Sequence, residues 1–270
     1  ARVYLEMEDY QNAAAAAQGL INSKRYTLIS DGDAYKKMWL NDVGTEAIWQ
    51  FAMSKTETGS NALGSSFMGI VDKLPRPSYL PVKSVLNLYD KENDIRYDAY
   101  FTTGLIDRQV GDDIEVTYCS KWPGNPELYE GKSNNVNKLK AFRISEMYLI
   151  AAEAYAMLNQ EDKASEMLNE LKKIRIKGWT ETVYNGAALM QEIQDERVRE
   201  LFAEGNRLFD MKRWKIGMKR SSSDAQRDDY LPALGTDIEK EATDNRWVWP
   251  IPKDEMDSNP QLKGQQNPGY

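Results

Sequence analysis

Apolar side chains recur every three or four positions along much of this chain, which is the spacing of an amphipathic α-helix. Polar turns such as Asn159-Gln160-Glu161-Asp162 and Asn185-Gly186 separate the stretches that follow this period. Asn and Gly are frequent in turns because they tolerate backbone conformations that other residues avoid. The pattern predicts helices over residues 1–7, 10–23, 143–158, 161–175, 187–202 and 206–214.

Two of the predicted helix pairs share an internal repeat. A shift of 151 residues without a gap, from Ala1 to Ala152, aligns four positions of the two pairs. Small residues allow antiparallel helices to approach closely, and a tyrosine fills the space beside them. The spacing is similar to that of the tetratricopeptide repeat, a helix-turn-helix unit of about 34 residues. The aligned residues are Ala1, Tyr4, Ala13 and Leu20 in the first pair and Ala152, Tyr155, Ala164 and Leu171 in the second.

Residues 25–140 have a different pattern, with few long helical periods and many Gly, Pro, Asn and aromatic residues. Alternating side chains predict a strand at 46–51 and weaker strands at 116–119 and 138–140, and a short helix is predicted at 84–89. Long irregular segments of this kind commonly carry binding surfaces.

Together these patterns predict a mainly α fold that forms one domain over residues 1–270. The scaffold of tetratricopeptide-like helix pairs covers 1–24 and 143–217. A long irregular and partly β insertion covers about 25–140, and an extended C-terminal tail covers 218–270.

Composition and charge narrow the range of functions. The chain carries 35 Lys and Arg against 42 Asp and Glu, so it lacks the excess of positive charge that binding to nucleic-acid phosphates requires. It contains no histidine, which removes the Ser-His-Asp and Cys-His catalytic groups and the usual zinc ligand. The single cysteine, Cys119, cannot form an internal disulfide. We therefore predict no nucleic-acid partner, no metal site and no cofactor.

The apolar runs are much shorter than a membrane span. The run from Met147 to Ala152 ends at Glu153, whereas a transmembrane helix needs roughly 20 apolar residues. No bilayer-spanning helix is therefore predicted. The sequence opens in what resembles the middle of a helix, so we expect the chain to begin inside a larger protein.

Three glutamates are candidate acid–base groups. Glu196, Glu200 and Glu204 follow one another at i,i+4 spacing, about 6 Å apart on a helix face, and a glycosidase uses two carboxylates roughly 5–9.5 Å apart. Like charges at this spacing repel each other, and neighbouring arginines can pair with them. We therefore favour a buried ion-pair network that joins helices. Its candidate arginines are Arg197, Arg199, Arg207 and Arg213 in the same or adjoining turns, and Arg143 and Arg175 on neighbouring helices.

Five aspartates between residues 90 and 113 suggest a calcium site, since Ca²⁺ binds clustered oxygen ligands. Their spacing does not follow the Asp-x-Asp-x-Asp-Gly loop of an EF-hand. We interpret them as residues of solvated turns. They are Asp90, Asp94, Asp107, Asp112 and Asp113.

The predicted insertion is rich in aromatic residues that stand beside Asn, Asp, Arg or Lys. Aromatic faces stack on the apolar faces of sugar rings, while amides and charged groups bind hydroxyls. Trp122 precedes the turn Pro123-Gly124-Asn125-Pro126, so we expect its ring at the edge of a loop. Trp49 and Phe51, on one face of a predicted strand, are expected in the core. The candidate ligand-binding residues are Trp122, Tyr118, Tyr100, Tyr97, Arg96 and Asn125.

Several short motifs follow one another from Arg143 to the last residue. Their order resembles that of the SusD/RagB family, and the likeness is looser over residues 1–142, where the opening helix pair and the Asp94-Ile95-Arg96 turn take part. The motifs are Arg143-Ile144-Ser145-Glu146-Met147-Tyr148-Leu149-Ile150-Ala151-Ala152-Glu153-Ala154, Leu168-Asn169, Arg175, Glu196-Arg197, Glu200-Leu201, Glu204-Gly205, Arg207, Asp210, Arg213-Trp214, Trp249-Pro250-Ile251-Pro252, Glu255, Asn259-Pro260 and Gln266-Asn267-Pro268-Gly269-Tyr270.

The resemblance implies a SusD-like glycan- or nutrient-binding lipoprotein on the outer membrane of Gram-negative bacteria. Such a protein forms a surface lid on a TonB-dependent transporter, with the helical scaffold on the transporter and irregular loops around an oligosaccharide. The family supplies no catalytic residues. A whole family member carries a lipid-attachment cysteine and an N-terminal portion that forms part of the ligand site. Membrane contact is therefore expected only through a lipid anchor that this sequence does not contain.

We predict a non-enzymatic protein that captures an oligosaccharide or related nutrient at the cell surface and delivers it to a SusC-like TonB-dependent transporter. One alternative is a tetratricopeptide-like protein–protein adaptor without its own glycan site. The other is a glycosidase that uses Glu196 and Glu200.

Overall fold

The chain divides into two compact units. The first comprises Ala1–Gly205 with Asp224–Gln226, and the second comprises Asn206–Ser223 with Arg227–Tyr270. The single domain over 1–270 stays a prediction. The computed structural model describes residues 1–56, 63–71, 73–108, 111–227 and 239–270. The other positions of the predicted insertion and of the predicted tail lie outside the described residues.

Helices form most of the first unit. None of the helices in the described ranges has the length and apolar character needed to span a bilayer. In chain order they are α1 (Arg2–Glu6), α2 (Tyr10–Ser23), α3 (Gly32–Leu40), α4 (Ser65–Met68), α5 (Lys83–Leu86), α6 (Ile95–Tyr100), α7 (Ile144–Met157), α8 (Glu161–Arg175) and α9 (Gly186–Glu200).

Strands in the first unit are short, and in the described residues they pair as three two-stranded antiparallel sheets, β1 with β6, β2 with β3 and β4 with β5. The small number of strands beside many helices confirms the predicted mainly α fold. The strands are β1 (Ala47–Gln50), β2 (Ile70–Val71), β3 (Leu74–Pro75), β4 (Phe101–Ile106), β5 (Ile114–Cys119) and β6 (Lys140–Arg143).

The helices predicted from the repeat form one packed stack. Helix α2 lies against α7, and α7 lies against α8 and α9. Ala13, Ala152 and Ala164 have no exposed surface, as expected where small side chains let helices approach closely. Asp9 caps the N-terminus of α2, because its side chain accepts a hydrogen bond from the Asn12 backbone N–H. The bounds of these helices agree with the predictions to within two residues.

Three helices of the insertion, α3, α4 and α6, were not predicted. Tyr35, Met38 and Trp39 are buried on one face of α3 at i, i+3 and i+4 spacing, and Asp31 caps its N-terminus. Asp94 caps the N-terminus of α6, because its side chain accepts a hydrogen bond from the Arg96 backbone N–H, and α6 packs against α3. Helices α3 and α6 form a second core that is mostly aromatic, whereas the core of the helix stack is mostly Ala, Leu and Ile.

The second unit contains α10 (Arg207–Arg213), β7 (Met218–Lys219), β8 (Glu239–Lys240) and α11 (Lys253–Ser258), and β7 pairs with β8. The described part of the predicted extended tail therefore includes short regular elements. Its last residues hold an earlier segment by hydrogen bonds. The Gln266 side chain accepts from Ile251 N at 2.8 Å and donates to Ile251 O at 3.1 Å.

Candidate functional site

A cluster of buried charges lies in the first unit, where α6, α8 and α9 meet the β1–β6 sheet. Its five carboxylates and five cations balance in formal charge, which is the condition under which charged side chains are found buried. Each of these cations lies within 3.1 Å of one of these carboxylates. We call this the ion cluster, and it comprises Glu46, Asp94, Glu196, Glu200, Glu204, Arg96, Lys121, Arg143, Arg175 and Arg199.

Glu200 is the central carboxylate of the ion cluster. Arg175 donates to both of its oxygens, from Nε at 3.0 Å and from Nη2 at 2.9 Å. Arg143 Nη1 and Arg96 Nη1 donate to it at 2.8 Å and 3.1 Å. These arginines belong to three different segments, so one carboxylate joins α6, α8 and the β6–α7 junction to α9. Charge-assisted and bidentate bonds of this kind are the strongest hydrogen bonds in proteins.

The predicted ion-pair network is confirmed, although its third glutamate is not on the helix. Helix α9 ends at Glu200, and Ala203 has a φ of +57° in the turn that follows. Glu204 returns to the cluster because Arg143 donates to its two oxygens at 2.9 Å and 2.7 Å. Of the other predicted partners, Arg175 and Arg199 also join the cluster, whereas Arg213 pairs with Asp210 in the second unit.

Glu196 and Glu200 of α9 are held ionised. Burial raises the pKa of the Glu200 carboxyl, but Arg175 and Arg143 outweigh that effect and lower the pKa well below its ordinary value. Against the same effect of burial, Arg96 and Arg199 lower the pKa of Glu196. Glycoside hydrolysis needs one carboxyl that stays protonated and can reach the substrate. Two ionised and fully buried carboxylates do not meet this need, which argues against the glycosidase hypothesis.

Lys121 is the fully buried lysine of the ion cluster. Its Nζ donates to Glu204 Oε1 and to the Phe202 carbonyl, both at 2.7 Å. The same nitrogen lies 4.1 Å from the ring centroid of Trp39 and 3.9 Å from that of Tyr100. Burial lowers the pKa of Lys121 to about 8, against the opposing effect of Glu204. Lys121 thus connects the aromatic core to the turn after α9.

Trp122 is buried, contrary to the prediction. It is 2% exposed, its Nε1 donates to the Ala203 carbonyl at 3.2 Å, and its ring meets Trp39 edge to face at 5.1 Å. The turn that follows it does form, but it folds inward. Gly124 has a φ of +90°, and its N–H donates to Asn137 Oδ1 at 2.8 Å. The expectation of a Trp122 ring exposed at a loop edge is therefore wrong.

Tyr100, Arg96, Asn125 and Tyr118 are also buried, which argues against ligand contacts at these residues. The Tyr100 hydroxyl lies 2.5 Å from the Tyr35 hydroxyl and donates to the Glu200 carbonyl at 3.1 Å. The burial of Tyr100, Arg96 and Asn125 has a physical reason, since other protein groups make hydrogen bonds with their polar atoms.

Asn125 and Asp94 are also buried with their polar atoms bonded to other protein groups. Asn125 Nδ2 donates to Asp42 Oδ2 at 2.9 Å, and Asn125 Oδ1 accepts from Glu127 N. Asp94 is buried in an ion pair with Arg96 at 2.7 Å, so its assignment to a solvated turn is wrong. Tyr97 is partly exposed, and a ligand contact there stays a prediction.

A group of exposed or partly exposed aromatic rings lies elsewhere in the first unit, at the β1–β6 sheet. Trp49 pairs with Phe142 across the two strands, and their rings stack at 5.9 Å. The Phe51 ring lies 4.8 Å from that of Trp49. Trp49 and Phe51 are 51% and 46% exposed, although both were expected in the core. We call Trp49, Phe51 and Phe142 the aromatic strip.

The aromatic strip was missed because the strand faces were assigned the wrong way round. Side chains alternate along a strand, so Glu46 and Ile48 share one face while Trp49 and Phe51 share the other. Hydrophobicity favours burying the aromatic face. The protein buries Glu46 instead, because Arg143 and Arg175 bind its carboxylate at 3.1 Å and 2.8 Å. The sequence does not reveal these partners, because Arg143 and Arg175 lie 97 and 129 positions from Glu46.

A cavity of about 440 Å³ adjoins the aromatic strip. Phe51 belongs to both, since its ring contacts Trp49 and also lines the cavity. Carbon-rich side chains form much of the wall, which suits the apolar face of a ligand. We call this the aromatic cavity, and its lining includes Phe51, Leu63, Phe67, Trp122 and Leu139 with the charged residues Arg2, Lys140 and Glu204.

Comparisons with known proteins agree with this fold. The sequence pattern of the SusD family matches residues 106–270. SusD-like protein P38 of Formosa agariphila is 24% identical over 97% of this chain and 57% of its own length. A SusD superfamily protein from Bacteroides thetaiotaomicron has a crystal structure that matches with a TM-score of 0.77 at 27% identity, over 99% of this chain and 58% of that one.

Surface glycan-binding protein A from Bacteroides uniformis also shares the fold, with a TM-score of 0.67 at 21% identity, over 98% of this chain and 59% of that one. The chain thus spans somewhat less than three fifths of the length of these relatives. The family pattern nevertheless covers more than half of the chain and includes α7, α8 and α9 with much of the ion cluster. The chain belongs to the SusD family.

Proposed function

We propose that this chain binds an oligosaccharide through the aromatic strip and the aromatic cavity. The observation that carries the proposal is the position of Phe51, which makes the two surfaces continuous. Successive sugar rings present flat apolar faces, so an elongated aromatic surface suits them better than an isolated ring would. The cavity volume of about 440 Å³ lies within the roughly 300–1,000 Å³ of typical small-molecule sites.

The ion cluster supports the strip mechanically. Glu46 directly precedes β1, and Arg143 ends β6, so both strands are anchored in the cluster next to the residues that carry the exposed rings. A surface held in place by buried hydrogen bonds loses little conformational entropy when a ligand binds. Membership of the SusD family, and the glycan binding stated in the name of its Bacteroides uniformis relative, also support the proposal.

Isothermal titration of the full chain with a panel of neutral oligosaccharides tests the proposal. We expect Phe51→Ala to weaken binding about tenfold, equivalent to about 1.4 kcal/mol, because it interrupts the surface where strip and cavity join. Leu105→Ala is the matched control, since Leu105 is 51% exposed on β4 and is not among the residues that line the cavity. Equal affinities of wild type and Phe51→Ala contradict this site, and a complete lack of sugar binding contradicts the function.

The SusD resemblance supports a further part of the proposal. We propose that the protein works at the outer-membrane surface, leaves the sugar chemically unchanged and passes it to a SusC-like TonB-dependent transporter. The ionised, buried state of Glu196 and Glu200 is consistent with binding without catalysis.

Affinity purification from bacterial outer membranes tests the transporter contact, and chromatography of the recovered sugar tests its integrity. We expect a TonB-dependent transporter to copurify and the sugar to be recovered intact. If Phe51→Ala loses sugar binding and still retains the transporter, the two contacts are separate. If the wild type retains the transporter and binds no sugar, the adaptor hypothesis is favoured instead.

A further inference from the structure

We infer that the aromatic cavity selects neutral sugars over sugars that carry carboxylate or sulfate groups. The inference deepens the proposed function and rests on it. Recognition of an anionic sugar requires a cation whose charge is not already balanced by a protein carboxylate, because an anionic group that leaves water without such a partner loses its hydration. The charged residues that line the cavity therefore decide whether it can bind an anionic sugar. Among the described residues they are Arg2, Lys140 and Glu204.

Arg2 is committed to a buried carboxylate. Its Nε and Nη2 donate to the two oxygens of Glu146, both at 2.6 Å, and Nη2 also donates to the Ala141 carbonyl at 2.8 Å. Its guanidinium lies 4.5 Å from the centroid of the Phe142 ring. Glu146 is 1% exposed. Nη1 makes no hydrogen bond to the described residues and the Arg2 side chain is 34% exposed, but its positive charge is already balanced by the Glu146 carboxylate. An anionic sugar would have to compete with this bidentate ion pair.

Lys140 is committed in the same way. Its Nζ donates to Asp42 Oδ1 at 2.8 Å, and neither side chain of the pair has exposed surface. Withdrawing Lys140 toward a ligand would leave the Asp42 carboxylate buried with one donor fewer.

Glu204 adds negative charge to the same wall. Its oxygens accept from Arg143 and Lys121 inside the ion cluster, so the cations that balance it lie on the protein side. Stacking against Phe51 and the apolar wall needs no cation. Neutral sugars can therefore use the cavity as it is built, whereas anionic sugars meet paired cations and a carboxylate.

Titration of the full chain with oligosaccharides of matched length that are neutral, uronate-containing or sulfated tests this selectivity. We expect the anionic sugars to bind at least about tenfold more weakly than the neutral ones. Binding of the neutral sugar should be the same at low and high ionic strength, because screening weakens only interactions between charges. Anionic sugars that bind at least as tightly as neutral ones, or neutral-sugar binding that falls with salt, overturn the inference.

Glu146→Gln tests the cause of the selectivity. The substitution keeps the shape of the side chain but removes the charge that holds Arg2, so affinity for the anionic sugars should rise about tenfold while affinity for the neutral sugar stays unchanged. Glu170→Gln is the matched control, because Glu170 pairs with Lys173 on an exposed face of α8. Circular dichroism verifies folding of both variants.

The outcomes separate the two levels of the proposal. If no sugar of the panel binds, both the proposed function and the inferred selectivity are contradicted. A panel in which anionic sugars bind best contradicts the selectivity and leaves the function standing. If Glu146→Gln does not fold, the wild-type panel and its salt dependence still decide the question.

Discussion

The ion cluster and the aromatic strip invert the usual distribution of residues between the inside and the outside of a protein. Arg96 and Arg175 have no exposed surface, whereas Trp49 and Phe51 expose about half of theirs. Charged residues are rarely buried unless they are paired, and contiguous exposed apolar surface often marks a binding site. The comparison teaches that pairing, more than hydrophobicity, decides which residues are inside at this part of the fold.

The two regions meet along β1. Glu46 directs its carboxylate into the ion cluster, while Trp49 stands on the opposite face of the same short segment. Because the face that carries Glu46 is buried in the ion cluster, the opposite face with Trp49 is exposed to solvent. If this relation is correct, damage to the ion cluster should affect folding, and damage to the aromatic strip should affect binding.

The largest expected effect comes from Glu200→Ala. Removing the carboxylate leaves Arg143, Arg175 and Arg96 without their common partner in a dry interior, and breaking a buried ion pair lowers the free energy of unfolding by about 3–5 kcal/mol. Urea unfolding followed by circular dichroism measures the change. The control is Glu170→Ala on the surface of α8, which should change stability by less than about 1 kcal/mol. Similar losses for the two variants would show that the cluster is not structural.

Acid should produce a smaller loss through the same residues. The pKa values of Glu196, Glu200 and Glu204 lie below the ordinary value of 4.5, although burial alone would raise them. Below about pH 4.5 the unfolded chain binds more protons on these groups than the folded protein does. The contribution of these carboxyls to the free energy of unfolding therefore falls as the pH falls and is constant above that range. At pH 4 the loss is at most about 1 kcal/mol for each carboxyl.

Calorimetry from neutral pH down to about pH 4 measures this loss as a decrease in Tm. Glu200→Gln should weaken the dependence, because it removes one of the three groups. A Tm that is constant over the whole acidic range would contradict the assignment of lowered pKa values to the cluster.

Long helices could be predicted from the sequence because their signals are local. The period of apolar residues and the alanine positions of the repeat placed α2 and α8 with both ends correct. The i,i+4 glutamates beside arginines likewise predicted the network around Glu200. Local spacing is sufficient where both partners of an interaction lie on predicted helices.

The parts that could not be predicted depend on partners far apart in the chain. Arg96 reaches Glu196 across 100 positions, and Glu46 reaches Arg175 across 129. Sequence alone does not show that Glu46 has such a partner, so the strand around Trp49 was placed with the aromatic face inward. The prediction that the Trp122 ring is exposed was wrong for a related reason. Its partners Trp39 and Ala203 lie far away in the sequence, so the sequence alone does not show that the ring is buried.

Trp49→Ala is expected to have the smallest effect on stability and is the sharpest test of the comparison. Because the Trp49 ring is 51% exposed, its removal should lower the free energy of unfolding by less than about 1 kcal/mol while weakening oligosaccharide binding about tenfold. The matched substitution Trp39→Ala removes the same side chain from a site that is 1% exposed, and there the loss should be about 3–5 kcal/mol. Chemical unfolding and titration calorimetry on both variants give the two quantities independently. If Trp49→Ala destabilises the protein as strongly as Trp39→Ala, the aromatic strip is part of the core; if it destabilises little and leaves binding unchanged, the strip is not the sugar-binding surface.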